Sequence, residues 1–154
     1  MTDPERPTEL SELFCFDLYA ASRAVTSLYR PLLAELRLTY PQYLVLVVLW
    51  REQTCTVKHL SEALRLDYGT LTPLLRRLET NGLVTRERRR DDERSVTVGL
   101  TVAGAAMQRR ARHIPAQILT GTGLDDQQIA TLQTTLRTVI ATVTSYTADR
   151  PEFG

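Results

Sequence analysis

The sequence has little cysteine, no long apolar run and almost no net charge. Its two cysteines, Cys15 and Cys55, lie 40 residues apart, which provides neither a disulfide framework nor the spacing of metal ligands. The longest apolar run, Tyr43 to Trp50, is far shorter than the roughly 20 residues that span a bilayer. The chain does not open with the charged and apolar segments of a secretory leader. We therefore expect a cytoplasmic protein with no metal, no other cofactor and no membrane partner.

The composition suits one globular domain with a local concentration of positive charge. A chain of 154 residues with 43% apolar content can bury one core, so we expect a single domain over residues 1–154. The net charge of +1 excludes a polyelectrolyte. Five arginines nevertheless fall within nine residues, interleaved with acidic residues: Arg86, Arg88, Arg89, Arg90 and Arg94. This cluster points to a polyanion as partner at one place on the molecule.

Residues 56–100 have the pattern of two short helices followed by a β-hairpin. Apolar residues recur at helical spacing in both helices: Val57, Leu60 and Leu64, then Leu71, Leu74, Leu75 and Leu78. Asp67 suits the N-cap of the second helix, and Asn81-Gly82 suits its end. Two alternating segments follow, with the arginine cluster between them. The pattern predicts a winged helix-turn-helix, whose natural partner is duplex DNA.

Two helices are predicted before this motif, a long first helix and a second helix that follows it. The first pattern begins at Ser11, and Pro31 is expected to kink the helix or end it at Arg30. Thr39 is predicted to cap the next helix, with Pro41 in its first turn. This second helix is apolar enough to lie at the centre of the core.

Two more helices are predicted after the hairpin. Thr101 should cap a helix that reaches about Leu119 with a kink at Pro115, and the last helix should start near Asp125. Its apolar residues form a heptad seam: Ile129, Leu132, Leu136, Val139, Val143 and Tyr146. The outer helices are surplus to the winged-helix core, so we expect residues 9–36 and 102–147 to form a homodimer base around residues 39–100. The predicted fold is thus mainly α with a small β-hairpin.

The predicted DNA contacts are polar residues of the second motif helix and the hairpin, with one lysine. Threonine and arginine can read base edges, and arginine also suits phosphate and a narrow minor groove. The predicted set is Lys58, Tyr68, Thr70, Thr72, Arg76, Arg77, Arg86, Arg88, Arg89, Arg90 and Arg94. We expect Arg94 to enter the groove, oriented by Asp92, and the other hairpin arginines to meet mostly phosphate. A solvated surface is the alternative for any one helix residue. In a dimer, two such helices would enter major grooves that lie one turn of DNA, about 34 Å, apart in a pseudo-palindromic operator.

The residues also resemble a known family. The strings LSEAL and LTPLLRRLETNGLVTRERRRDDERSVTVGLT resemble the MarR family of multiple-antibiotic-resistance regulators, including its Asp-x-Arg element at Asp92 to Arg94. The string FCFDLYAASRAVTSLYRPLLAELRLTYPQYLVLVVLW resembles the organic hydroperoxide resistance regulators within that family. The resemblance implies a dimeric repressor that releases DNA when organic hydroperoxides oxidise an N-terminal cysteine. That cysteine maps to Cys15, with supporting tyrosines at Tyr29 and Tyr40 and with Tyr19 nearby.

Two positions depart from the pattern of this family. One branch has a second, resolving cysteine after the hairpin, and no cysteine follows Thr101 here. Tyr68 stands where the family has a small residue, which affects the expected operator contacts.

The thiol chemistry can also be argued without the resemblance. A lone cysteine on an apolar helix often serves as a small buried hydrophobe. Cys15, however, falls near the start of the first helix, where the helix dipole favours a thiolate, and Tyr19 shares its face. Tyr29 lies 14 residues further on, about 21 Å along the helix, so it can reach Cys15 only from a second, antiparallel copy.

We therefore hypothesise that Cys15 is oxidised to a sulfenic acid and then forms a mixed disulfide with a low-molecular-weight thiol. Cys55 as the resolving partner is a variant of this hypothesis. A regulator that binds a small-molecule ligand, with Cys15 structural, is the main alternative. A thiol peroxidase would leave the arginine cluster unexplained, and so would a protein-binding winged helix. We do not expect an enzyme.

Overall fold

The structure, a computed structural model, describes residues 9–88, 95–150 and 152. A short 3-10 turn, Leu10–Glu12, precedes α1. The elements are α1 (Phe14–Ala34), α2 (Tyr40–Glu52), β1 (Thr54–Thr56), α3 (Val57–Leu64), α4 (Tyr68–Thr80), β2 (Val84–Arg88), β3 (Val96–Leu100), α5 (Val102–Ala111), α6 (Ile114–Thr122) and α7 (Asp126–Ala148). The predicted mainly helical fold is confirmed, and α3, α4 and the β2–β3 pair form the winged helix-turn-helix. Within the described residues, no helix is long and apolar enough to cross a membrane.

The chain divides into two compact units, residues 1–118 and residues 119–154. The first unit holds α1 to α5 and the larger part of α6, and its core is centred on α2, as predicted. Val45, Leu46 and Leu49 are fully buried there, beside Leu60 of α3 and Leu71 of α4. Burying each such side chain stabilises the fold by about 1.5–3 kcal/mol. This core is what holds the two motif helices in a fixed orientation.

The predicted helix caps are present. Thr39 accepts a hydrogen bond from the backbone amide of Gln42 at the start of α2, and Asp67 accepts one from Thr70 at the start of α4. Thr101 and Asp125 cap α5 and α7 in the same way. These bonds satisfy amides that a helix start leaves unpaired.

Helix α1 differs from the prediction at both ends. Ser11 lies in the preceding 3-10 turn, and the N-cap of α1 is Leu13, which has no side-chain capping bond. The helix also continues through Pro31 to Ala34. Proline removes one helical hydrogen bond, but the following turn is anchored by Leu33, which is buried in the core. Packing therefore outweighs the local cost of the proline.

The single helix predicted from Thr101 to about Leu119 was wrong. The chain forms two helices there, because α5 ends at Ala111 and α6 begins at Ile114. Pro115 lies in the first turn of α6, where the missing amide hydrogen has no helical partner to lose. Ile114 is fully buried and anchors this restart.

The β-hairpin is part of a three-stranded antiparallel sheet with the order β1-β3-β2. Cys55 of β1 pairs with Val98 of β3, and Arg86 of β2 pairs with Val98 from the other side. The sequence did not predict β1, because three residues are too few to show an alternating pattern.

The second unit carries α7 with its apolar seam. No residue of α7 is buried, and Leu132 and Val143 are 44% and 54% exposed. The role of residues 9–36 and 102–147 as a dimer base, and the single-domain organisation, stay predictions.

Candidate nucleic-acid interface and thiol site

Helix α4 presents the residues that were predicted to read DNA. Its buried side is formed by Leu71, Leu75 and Leu78. The predicted contacts are exposed, except for the half-buried Thr72: Tyr68, Thr70, Thr72, Arg76 and Arg77. The apolar anchors thus fix the helix from behind and leave a face of hydroxyl and guanidinium groups that suits a DNA groove.

Asp67 fixes the start of this reading helix. Its Oδ1 accepts a hydrogen bond of 2.7 Å from the Thr70 amide. The hydrogen bonds from Thr70 and from neighbouring amides hold the pKa of Asp67 below its usual value. The carboxylate is therefore ionised at neutral pH and stays on the helix start.

Lys58 is exposed in the first turn of α3, as a phosphate contact requires. Its Nζ lies 4.0 Å from a Glu62 carboxylate oxygen, and both side chains are largely solvated. Such surface pairs contribute little, so Lys58 can exchange this partner for a phosphate at small cost.

Arg86 is held against the reading helix. Its Nε and Nη2 donate hydrogen bonds of 3.0 and 2.7 Å to the same oxygen of Glu79 in α4. These bonds hold the pKa of Glu79 below its usual value. The pair joins β2 to α4, a role that the sequence did not suggest, and direct contact of Arg86 with phosphate stays a prediction. Arg88, two residues on, is exposed.

The tip of the hairpin includes four of the predicted positions: Arg89, Arg90, Asp92 and Arg94. All four lie outside the described residues. Their DNA contacts and the orienting role of Asp92 stay predictions.

Cys15 is an exposed free thiol at the second position of α1. The Leu13 cap offers no side-chain acceptor, so no side chain of the cap occupies the amides of the first turn. Amides at a helix start favour a negative charge, and Cys15 lies at this end of α1. The neighbouring rings Phe14 and Phe16 are also exposed, Phe14 to 73%.

Tyr19 lies one turn after Cys15 on α1 and is exposed. The guanidinium of Arg23 lies 5.5 Å from the Tyr19 ring centroid, and its Nη1 is 3.5 Å from the phenol oxygen. These contacts keep the Tyr19 ring close to the surface of α1.

Tyr29 and Tyr40 come together at the other end of α1. Their ring centroids are 4.4 Å apart, and Tyr43 lies 5.8 Å from Tyr29. Burial, together with the neighbouring phenols of Tyr40 and Tyr43, raises the pKa of Tyr29 to about 12. Tyr29 therefore keeps its proton at neutral pH. Because α1 is continuous from Phe14 to Ala34, this pair lies about 21 Å along the helix from Cys15 of the same chain.

Cys55 has a different environment. It is half-buried in β1, where burial and the nearby charge of Glu52 raise its pKa to about 11. Glu52 also bonds His59 Nε2 at 2.9 Å, a pair that sequence spacing did not reveal. Within the described ranges, no cluster of His, Cys, Asp and Glu could hold a metal ion. A protonated thiol is a poor nucleophile, which disfavours Cys55 as a resolving cysteine.

Comparison with known proteins identifies the family. Residues 27–109 match the family described as transcriptional regulator SarA/Rot. The chain is 46% identical to the organic hydroperoxide resistance transcriptional regulator of Bacillus subtilis (strain 168) over 135 residues, which are 88% of this chain and 92% of that protein.

Two solved structures share the fold. Reduced AbfR bound to DNA, a protein of Staphylococcus epidermidis that is also known in a disulfide-formed state, has a TM-score of 0.73 at 32% identity and covers 87% of this chain and 94% of its own. A mutant MarR from E. coli complexed with operator DNA has a TM-score of 0.76 at 26% identity, covering 86% of this chain and 99% of its own. The chain thus belongs to the MarR-like family of transcriptional regulators, in its organic hydroperoxide resistance regulator branch.

Proposed function

We propose that this regulator is a homodimeric, cytoplasmic repressor that releases its operator when an organic hydroperoxide oxidises Cys15. The observation that carries the proposal is the position of Cys15, an exposed thiol in a helix start without a side-chain cap. The pair of close phenols at Tyr29 and Tyr40 supports it, because a phenol can donate a hydrogen bond to a thiolate.

The length of α1 supports the dimer in this proposal. Tyr29 is too far along the helix to reach Cys15 of its own chain, but two antiparallel α1 helices would bring each Cys15 to the partner copy's phenols. The exposed apolar residues of α7 offer a second surface for a copy of the chain. Each thiol site would then contain groups from both subunits.

The chemistry begins with attack of the Cys15 thiolate on a peroxide oxygen. The O–O bond breaks, an S–O bond forms, and the alkoxide leaves as an alcohol after taking a proton. Sulfur is oxidised by two electrons and the hydroperoxide is reduced. The sulfenic acid then reacts with a low-molecular-weight thiol, which forms a disulfide and releases water. Turnover would require reduction of this adduct, so the protein acts as a sensor and not as an enzyme.

The surroundings of Cys15 favour organic hydroperoxides over hydrogen peroxide. Phe14, Phe16 and Leu18 are exposed apolar side chains close to the thiol in sequence. They would gain from covering the hydrocarbon part of a hydroperoxide, whereas hydrogen peroxide has no such part.

DNA release would follow from a change in the distance between the two winged helix-turn-helix motifs of the dimer. Each α4 must reach its own major groove in a pseudo-palindromic operator. A shift of a few ångströms between the two α4 helices would therefore weaken both contacts together. The bulk of a thiol adduct at Cys15 would displace the partner's phenols. It would thereby displace the winged helix-turn-helix motif of that partner.

The test is a gel-mobility titration with DNA from upstream of the gene. Wild type, Cys15→Ser and Cys55→Ser are each titrated with cumene hydroperoxide and with hydrogen peroxide. We expect release of wild type and Cys55→Ser at lower organic than hydrogen peroxide, and no release of Cys15→Ser. Release of Cys15→Ser would contradict the proposal.

A ligand-responsive regulator is the second candidate. One observation favours it, a cleft of about 290 Å³ whose lining includes Tyr43, Val47 and Trp50 of α2 with Ala111 and Pro115. In that case Cys15 would be structural, and thiol oxidation would leave DNA binding unchanged.

A further inference from the structure

A series of aromatic rings leads away from the Tyr29–Tyr40 pair into the DNA-reading module. Tyr43 lies 5.8 Å from Tyr29, and Trp50 lies 6.0 Å from Tyr43 in an edge-on contact. Tyr43 is only 6% exposed, so most of its ring surface is in contact with neighbouring groups. Together with the Tyr29–Tyr40 contact, these two contacts join α1 to the last turn of α2.

The series ends on the backbone of α5. The indole nitrogen of Trp50 donates a hydrogen bond of 2.9 Å to the Gly104 carbonyl. Gly104 packs so closely against the chain before β2 that a Cβ atom there would collide with the Leu83 carbonyl. The amide of Thr101 bonds that same carbonyl at 3.1 Å, and its hydroxyl bonds the Gly82 carbonyl. The start of α5 is therefore bonded directly to Gly82 and Leu83, the base of the wing.

We propose that Tyr43 and Trp50 are positioning residues that transmit displacement of the Tyr29–Tyr40 pair to the base of the wing. This inference rests on the function proposed above and adds to it a route from the thiol site to DNA. The hydrogen bond from Trp50 to Gly104 is either made or broken, which lets a small shift of the rings produce a discrete change at α5.

The first test measures how strongly oxidation changes operator affinity, and not operator affinity alone. The measured quantity is the ratio of the operator Kd of hydroperoxide-treated protein to that of reduced protein. Trp50→Phe keeps an aromatic ring and removes the indole N–H. We expect the reduced protein to bind DNA within about threefold of wild type, while the ratio falls by more than about threefold.

Tyr43→Phe is the matched control. It keeps the ring that contacts Tyr29 and Trp50 and removes only the hydroxyl, so its ratio should stay within about threefold of wild type. Tyr43→Leu removes the ring and should lower the ratio as Trp50→Phe does. A ratio in Trp50→Phe that stays within about threefold of wild type would overturn the proposal.

Trp50 also provides a readout without mutation, because it is the only tryptophan in the chain. Oxidation of wild type should change its fluorescence emission or its quenching by acrylamide, whereas treated Cys15→Ser should show no change. An unchanged signal on oxidation of Cys15 in wild type overturns the proposed route, even if a variant fails to fold.

The two proposals fail in different ways. If hydroperoxide does not release wild type, both the sensor function and this route are overturned. If wild type is released but Trp50→Phe keeps its ratio, only the route is overturned.

Discussion

Tyr29 and Tyr40 place their ring centroids 4.4 Å apart although they belong to different helices. The pair lies at the opposite end of α1 from Cys15, so one chain contains both parts of the proposed thiol site but cannot bring them together. Two copies with antiparallel α1 helices would bring them together, so the proposed sensing chemistry depends on the proposed dimer.

Replacing Tyr29 with phenylalanine should slow sensing without weakening repression. A phenol that donates to a thiolate stabilises it by about 1.5–3 kcal/mol, so its loss should lower the oxidation rate of Cys15 by about 10- to 100-fold. Because its pKa is about 12, Tyr29 can act as this donor throughout the neutral range. Stopped-flow measurement of thiol loss gives the rate, and gel mobility of the reduced variant serves as the control. An unchanged oxidation rate would exclude Tyr29 from the site.

Stability should fall in acid partly through Asp67. Its pKa is lower in the folded protein than in the unfolded chain, where an aspartate titrates near about 3.9. Its contribution is therefore complete above that value and is lost as the pH falls through the folded pKa. Asp67→Asn retains a good N-cap without a titrating group. In urea unfolding at pH 7 and pH 3, we expect the variant to lose less stability than wild type; an equal loss would contradict this role.

The close approach of Gly104 to Leu83 predicts a local intolerance of side chains. Gly104→Ala should lower the free energy of unfolding by about 1–3 kcal/mol, since its methyl group meets a backbone carbonyl. Gly99→Ala is the control, because a Cβ there meets only ordinary van der Waals contacts, the nearest at 3.6 Å. Its free energy of unfolding should stay within about 0.5 kcal/mol of wild type. Equal stabilities of the two variants by urea unfolding would contradict the packing.

Arg86 and Arg88 should differ in what they do for DNA binding. Arg88 is exposed, so Arg88→Ala should make the negative slope of log K against log salt less steep by about 1, as expected for one lost phosphate contact. Arg86→Ala should instead lower stability, because it breaks the bonds to Glu79 and releases the wing from α4. Operator titrations at several salt concentrations separate the two effects. A larger change in slope for Arg86→Ala would restore its predicted role as a phosphate contact.

The sequence predicted the elements whose signals are local. Helical spacing with caps at Thr39, Asp67 and Thr101 identified three helix starts, because a capping bond joins residues only three positions apart, and spacing placed a fourth start near Asp125. The missed features depend on tertiary contacts. Strand β1 exists because β3 offers it a partner, and Leu33 carries α1 past a proline.

The candidate site was predictable to a similar extent. Helix periodicity identified the exposed face of α4, and the family resemblance, not spacing, pointed to Tyr29 and Tyr40. The ion pair of Arg86 with Glu79 was not predicted, since it joins two elements whose relative position the sequence pattern does not define. The contact between Trp50 and Gly104 was missed for the same reason, as its partners are 54 residues apart.

The most direct measurement pairs intact mass with DNA affinity in the same sample. Reduced wild type bound to its operator would be treated with increasing cumene hydroperoxide in the presence of a small thiol, and each sample would be divided between mass spectrometry and a binding assay. We predict that one oxygen or one thiol adduct appears on Cys15, located by peptide mapping, in proportion to the DNA released. Release of DNA with Cys15 unmodified, or modification of Cys15 with full DNA binding retained, would contradict the central claim.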